Sequence, residues 1–302
     1  MLFRSRAAAS RLGLKEWPEH AVGIPARVRG TLVHAVLAAV GVARMRAHEA
    51  AQSSPADDAL LETARDALDI GIKEQSATRF RVAPMVWQIE RSRVMALVEK
   101  VLQLERTRAG FAVVAVESDT KARVFEQDFR VRVDRVDQLV NDDHGRTIRV
   151  VFDYKTGKAT RSDWFAESTS GRLAAPQLPL YALILSQSTA AAPVRALGYI
   201  VVGDDEEPKF VGVGEDKTIG ASRGAKNDAS WETLTTGWND QLEHLVTEVQ
   251  EGVAEVAPLK GQGTCRYCSF GSFCREPWSL ANARADVAEF DAQSAAAGAG
   301  DE

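Results

Sequence analysis

Three stretches in the first third of the chain carry apolar side chains at helical spacing. Leu32, Val33, Val36, Leu37 and Val40 fall on one face, which predicts a helix over residues 29–51. Ser54 and Pro55 break it, and a second helix is expected over residues 57–75. Pro84 opens a third through Ile89, Val94, Leu97, Val98, Val101 and Leu102. That helix should end near Arg108 and Gly110, because proline suits the first helical turn and glycine the position past the last. Beyond Gly110 the period falls to two. Residues 111–117, 121–139 and 148–156 are rich in Val and Phe, and Asp142, Asp143, His144 and Gly145 supply turn chemistry before the last of them. Three antiparallel strands follow from that pattern. Residues 176–188 return to helix and 194–202 to strand. Residues 203–230 are a polar, Gly-rich surface insertion around a short apolar segment at 210–213, and a long helix starts at Trp231 and runs to about Val253. The last residues, 279–302, are expected to be a helical or disordered tail with an Ala- and Gly-rich, disordered end.

Composition narrows the class of protein. The chain has 302 residues, 45% of them hydrophobic and 26% charged, enough to bury a core without help from disulfides or metals. With 37 Lys and Arg against 42 Asp and Glu, the net charge of -5 points away from a uniformly basic nucleic-acid binder, so any basic surface must be local. The longest apolar run, residues 31–43, contains His34 and is too short to span a bilayer, and no apolar region follows the charged N-terminus as in a secretory signal. A cytoplasmic protein without membrane contact is expected. The three cysteines, Cys265, Cys268 and Cys274, are an odd number in one short segment, which suits a metal or cluster site better than a disulfide framework.

The candidate chemistry lies where the last of the three strands ends. Alternation puts Val150, Phe152 and Tyr154 on one face and Asp153 with Lys155 on the other. Taken alone, such an Asp-x-Lys is an ordinary surface ion pair. The preceding strand changes this, because its apolar positions move from odd (Phe129, Val131, Val133) to even (Val136, Val140), which requires a register shift near Asp134 and Arg135. A bulge there would turn Asp134 toward Asp153, and the two carboxylates would offer hard oxygen ligands to Mg²⁺ or Mn²⁺. Lys155 beside them could orient a water and offset phosphate charge. Gln177 and Tyr181 share a face of the next helix. His34 is a half-buried core histidine or a ligand, and Glu117 joins the site or faces solvent. Arg130, Arg132, Lys158 and Arg161 could form a local basic rim.

In order along the chain, Gly30-x-x-x-His34, Val133-Asp134-Arg135-Val136-Asp137, Asp153-Tyr154-Lys155-Thr156-Gly157 and Pro176-Gln177-Leu178-Pro179-Leu180-Tyr181 resemble the PD-(D/E)XK nuclease superfamily, in particular the RecB/AddB-type exonuclease domain. The resemblance implies an α/β fold, a restriction-endonuclease-like α-β-β-β-α-β core with added N-terminal helices and a C-terminal cysteine loop. It implies one nuclease domain over residues 1–278: a helical part at 29–110, a catalytic core at 111–202, the insertion at 203–230, and a helix with the cysteine loop at 231–278. It further implies that His34, Asp134, Asp153 and the Tyr154 carbonyl hold the metal, that Lys155 is the catalytic lysine, and that Gln177 and Tyr181 brace the site and touch DNA. A helicase subunit of the AddA/RecB type is the implied partner. Relatives ligate a 4Fe-4S cluster with four cysteines; Cys265-x2-Cys268-x5-Cys274 provides three, and Met1 stands where the fourth would be. No Gly-x4-Gly-Lys-Ser/Thr phosphate loop is present, so the chain carries no motor of its own. The expected activity is metal-dependent hydrolysis of DNA in repair or recombination. The alternative is a non-catalytic DNA-end-binding or assembly module with a vestigial iron–sulfur site, and an unrelated protein with a structural zinc site is a third possibility.

Overall fold

The computed structural model describes residues 23–78, 82–108, 110–141, 146–165, 173–187, 191–203, 207–214 and 230–253. The chain divides into two compact units. One consists of His20–Ala166 and Leu173–Thr247 and holds every element up to the last helix; of the other, only residues 248–253 are described.

Helices α1 (Ala26–Glu49), α2 (Asp57–Thr78) and α3 (Pro84–Arg106) precede strands β1 (Phe111–Val124), β2 (Gln127–Asn141) and β3 (Arg146–Lys155). A 3₁₀ turn (Arg161–Trp164), helix α4 (Gln177–Ser186), strands β4 (Val194–Val201) and β5 (Lys209–Gly214) and helix α5 (Trp231–Gln250) complete the order. The sheet runs β1-β2-β3-β4-β5. All neighbours are antiparallel except β3 and β4, whose parallel pairing requires the crossover that α4 supplies. From α3 to β4 this is the expected α-β-β-β-α-β core.

Both sheet faces are covered, which explains why β3 is buried almost throughout. Val150, Phe152 and Tyr154 pack with Leu32, Val36, Leu68, Val94 and Val98 on the side of α1 to α3. Val151, Leu197 and Tyr199 pack with Leu178 and Tyr181 of α4 and with Trp164, Trp231 and Trp238 on the other. Helix α1 is long and apolar enough to cross a membrane, but its apolar side chains Val28, Leu32, Val33, Val36, Leu37 and Val40 are all buried in this core. Gly41 lets it lie close to β1, since an added Cβ would meet Val116 Cγ2 at 3.0 Å.

Three features differ from the sequence expectation. The first two strands meet at Phe125 and Glu126, both with positive φ (51° and 56°), so β1 is longer and β2 starts later than periodicity indicated. Two left-handed residues are the geometry of a tight hairpin turn, but Phe-Glu carries none of its usual Asn or Gly signal. The segment at 210–213 lies within a fifth strand, with Phe210 and Val213 buried, and not in a surface excursion. The side-chain face of β2 does reverse: Val133 packs on the α4 side, whereas Arg135 and Asp137 pair with Phe152 and Val150 on the other. The extra residue, however, is inserted in β1, between Val113 and Ala115. The distortion beside Asp134 is at Glu117, which has φ of 46° where the β1–β2 pairing skips both residues. The Asp142 to Gly145 turn lies outside the described residues.

Candidate active site

Asp153 and Lys155 leave β3 on the face opposite Tyr154, and the pleat brings their charges together: Lys155 Nζ lies 2.7 Å from Asp153 Oδ2. Asp153 is buried, and its Oδ2 faces the Lys155 ammonium with no amide or hydroxyl donor on it among the described residues. Its other oxygen is fixed by α4. Gln177 Nε2 donates to Asp153 Oδ1 at 2.8 Å and to the Tyr181 hydroxyl at 3.1 Å, the consequence of one helical turn between the two residues.

Asp134 reaches the same region from β2. Pairing between β2 and β3 stops at Arg135 and Phe152, and the next free amide of β3, Tyr154 N–H, donates to Asp134 Oδ2 at 3.0 Å. His34 Nδ1 of α1 stands 3.3 Å from the same oxygen, with its ring edge-on to Tyr154 at a centroid distance of 5.9 Å. Gly30, one turn earlier, carries no side chain where α1 nears the end of β3; a Cβ there would lie 3.4 Å from Thr156 Oγ1. Glu117 comes from β1. Its left-handed backbone turns the carboxylate inward, and His34, Glu117 and Asp134 each offer a ligand atom within 4.8 Å of the others.

The electrostatics are those of negative charge held together at some cost. The Glu117 carboxyl is pushed up by burial and by Asp134, against the pull of Arg132, whose Nε is 2.5 Å away. Asp153 is pushed up by burial, partly relieved by Lys155 and then raised further by Asp134. The His34 imidazole is raised by its hydrogen bond to Asp134, with burial opposing. Three carboxylates repelling one another beside a histidine fit a divalent cation, and the donors are hard oxygens plus one imidazole, a set that suits Mg²⁺ or Mn²⁺. The structure therefore brings His34, Asp134, Asp153, Lys155, Gln177 and Tyr181 into one region, and of the two places open to Glu117 it takes the one in the site. The tight trio of ligand atoms contains Glu117 in place of Asp153. The Tyr154 side chain points into the core, and its buried hydroxyl is pushed up to about 12 because burial outweighs the neighbouring Arg135.

Behind the site lies a buried ion network to which the motifs had assigned no role. Arg135 donates to Asp137 through Nε (2.6 Å) and Nη2 (3.1 Å), and through Nη1 to Glu105 and to the Tyr154 hydroxyl (3.2 Å). Arg108 adds a 2.6 Å bond to Asp137, and Arg44 a 3.1 Å contact to Glu105. The network ties α1, α3, β2 and β3 together and so fixes the strands that carry both aspartates. The basic rim is less bare than expected: Arg130 is 3.3 Å from Asp119, and Arg132 is committed to Glu117. Cys265, Cys268 and Cys274 lie outside the described residues.

The mixed sheet with its β-β-β-α-β core and a carboxylate–lysine pair at the end of a central strand defines a PD-(D/E)XK type of α/β protein. The sequence model of the PD-(D/E)XK nuclease superfamily matches residues 7–275, and the chain belongs to that superfamily, whose nucleases use divalent metal ions. No curated protein sequence matches the chain. Among solved structures, the chain is similar to a crystal structure named "Putative exonuclease" from Eubacterium rectale, with a TM-score of 0.37 and 11% identity over 79% of this chain and 71% of that one.

Proposed function

We propose that the protein is a divalent-metal-dependent deoxyribonuclease that hydrolyses phosphodiester bonds at the cluster formed by His34, Glu117, Asp134, Asp153 and Lys155. The observation that carries this reading is the meeting of these side chains from four elements, with the buried Asp153 carboxylate paired to Lys155 beside the other ligands. His34, Glu117 and Asp134 would hold the ion, with Asp153 and the Tyr154 carbonyl as further oxygen donors. When bound, a divalent ion supplies Lewis acidity at a phosphate oxygen and lowers the pKa of a water.

The residues of the chain provide the rest. Lys155, 36% exposed, presents an ammonium from the floor of the site toward solvent, where it can orient a water and offset charge on the phosphate. Gln177 holds Asp153 Oδ1 and leaves Oδ2 facing Lys155. Tyr181 accepts from Gln177 and is itself buried, so its part is to brace the amide that holds Asp153, and the DNA contact that the resemblance implies for it has no support from its burial. The order and wording of the motifs extend the proposal to an exonuclease working in DNA repair or recombination with a helicase subunit, in the cytoplasm, with the three cysteines as an incomplete iron–sulfur site that provides three of the four usual ligands.

End-labelled linear DNA and circular DNA, each incubated with the purified chain and Mg²⁺ or Mn²⁺ or with chelator, test the proposal. Cleavage that depends on metal supports it, and cleavage of the linear substrate alone supports the exonuclease assignment. Intact DNA under every condition, from a protein shown to be folded, would contradict it.

A further inference from the structure

Lys155 is held from a second side. Its Nζ lies 5.3 Å from the centroid of the Tyr199 ring, inside the roughly 6 Å within which a cation is attracted by an aromatic face. Tyr199 is the parallel-ladder partner of Asp153, so its ring is on the sheet face from which Asp153 and Lys155 project. The ring is also fixed in place. Trp164 Nε1 donates to the Tyr199 hydroxyl at 3.1 Å, and the two rings are 4.7 Å apart with a tilt of 37°. Trp164 has no exposed surface and is anchored in turn by α5, where Trp238 Nε1 donates to the Trp164 carbonyl at 2.8 Å. Packing alone accounts for the two tryptophans. It does not account for an ammonium group at the outer ring of the stack.

We infer that Tyr199 is a positioning residue for Lys155: its ring face, braced by Trp164 and through it by Trp238, holds the ammonium where the site needs it. The inference rests on the reading of Lys155 as the catalytic lysine. A lysine stem has four rotatable bonds, and one ion pair leaves the ammonium free to swing about Asp153. A second contact, from an immobile ring, restricts that motion and lowers the entropy lost when substrate is bound.

The test compares the full chain carrying Tyr199→Phe with the full chain carrying pentafluorophenylalanine at position 199. The two rings have nearly the same shape and opposite face charge, so a packing role predicts equal rates. The positioning role predicts kcat for Mn²⁺-supported DNA cleavage about tenfold lower for the fluorinated ring, with KM for DNA unchanged, since a partly desolvated cation–ring contact is worth about that factor. Equal kcat values for the two proteins would overturn the inference. A second measurement needs no variant: in the wild-type chain the Lys155 ε-methylene protons should be shifted upfield by the ring current of Tyr199, and ordinary lysine shifts would overturn it as well. Absence of cleavage by the wild type would count against the proposed function, whereas the methylene shift would still decide whether Tyr199 holds the lysine.

Discussion

Asp137→Ala should destabilise the fold strongly even though the residue touches neither the candidate metal ligands nor Lys155. The Asp137 carboxylate has no exposed surface and accepts from two guanidiniums, two bonds from Arg135 at 2.6 and 3.1 Å and one from Arg108 at 2.6 Å. Burial by itself would push its carboxyl up, but the two arginines outweigh burial and hold it below the usual value. Removing one member of a buried ion pair costs roughly 3–5 kcal/mol, because the other charge is left in a poorly polarisable interior. Here Arg135 keeps Glu105, while Arg108 loses its carboxylate and retains the Phe111 ring, 4.1 Å from its guanidinium carbon. A loss of about 4 kcal/mol follows, a large part of a total stability of about 5–15 kcal/mol. At about 2–4 °C per kcal/mol for a body of this size, Tm should fall by about 8–16 °C. Thermal unfolding followed by circular dichroism measures it, with Arg123→Ala, an exposed pair to Glu126 and Asp128, as a control that should hardly move. The sign with pH is fixed by the lowered carboxyl: its contribution is complete above about pH 4, the unfolded value, and is lost as pH falls through the folded one. The gap between wild type and Asp137→Ala should therefore narrow in acid. A Tm drop of under about 3 °C at pH 7 would show that the network does not carry this energy.

Metal affinity should rise from pH 5 to pH 8, because protons compete for carboxyls of Glu117 and Asp153 and an imidazole of His34 that are all raised. Calorimetric titration with Mn²⁺ checks it, and His34→Ala should weaken binding; a pH-independent affinity unchanged by the substitution would return His34 to the role of a core residue. Glu126→Gly should stabilise the protein by about 0.5–1 kcal/mol, since φ of 56° costs a glycine nothing and the ion pair to Arg123 is exposed. An unchanged or lower Tm would contradict the hairpin geometry. DNA binding should weaken with salt, and Lys158→Ala should reduce the slope of log affinity against log salt by about one, whereas Arg130→Ala, already facing Asp119, should change it less. Equal effects would restore the basic rim as first expected.

The parts of the fold that follow from periodicity were legible in the sequence. Helices α1 to α3, strand β3 and helix α4 carry apolar side chains at the spacing their packing needs, and the reversal of faces in β2 was visible at Val133 and Val136. What stayed hidden depends on contacts between distant residues. The β1–β2 turn is made by Phe125 and Glu126, two residues with no preference for positive φ, so no local signal marked it. The inward turn of Glu117 arises from its place opposite Asp134 and not from its neighbours in sequence. The ion network left a trace that could have been followed: Glu105 continues the apolar stripe of Leu97, Val98, Val101 and Leu102, and Arg135 and Asp137 alternate onto the face of a strand whose partners are Val150 and Phe152. A charge on an apolar stripe calls for a partner, and three such charges on adjacent elements call for one another. For Tyr199 and Trp164 no such trace exists, because aromatic residues in buried strands and turns are ordinary core.

The claim that Asp153 and Lys155 are the working pair of a metal-dependent nuclease is tested most directly by comparing wild type with Asp153→Ala and Lys155→Ala on end-labelled DNA, with Mg²⁺ or Mn²⁺ and with chelator, after thermal unfolding has shown that both variants are folded. The account predicts cleavage by the wild type only with metal, and loss of nearly all cleavage in either variant. Full activity in a folded Asp153→Ala or Lys155→Ala protein would contradict it.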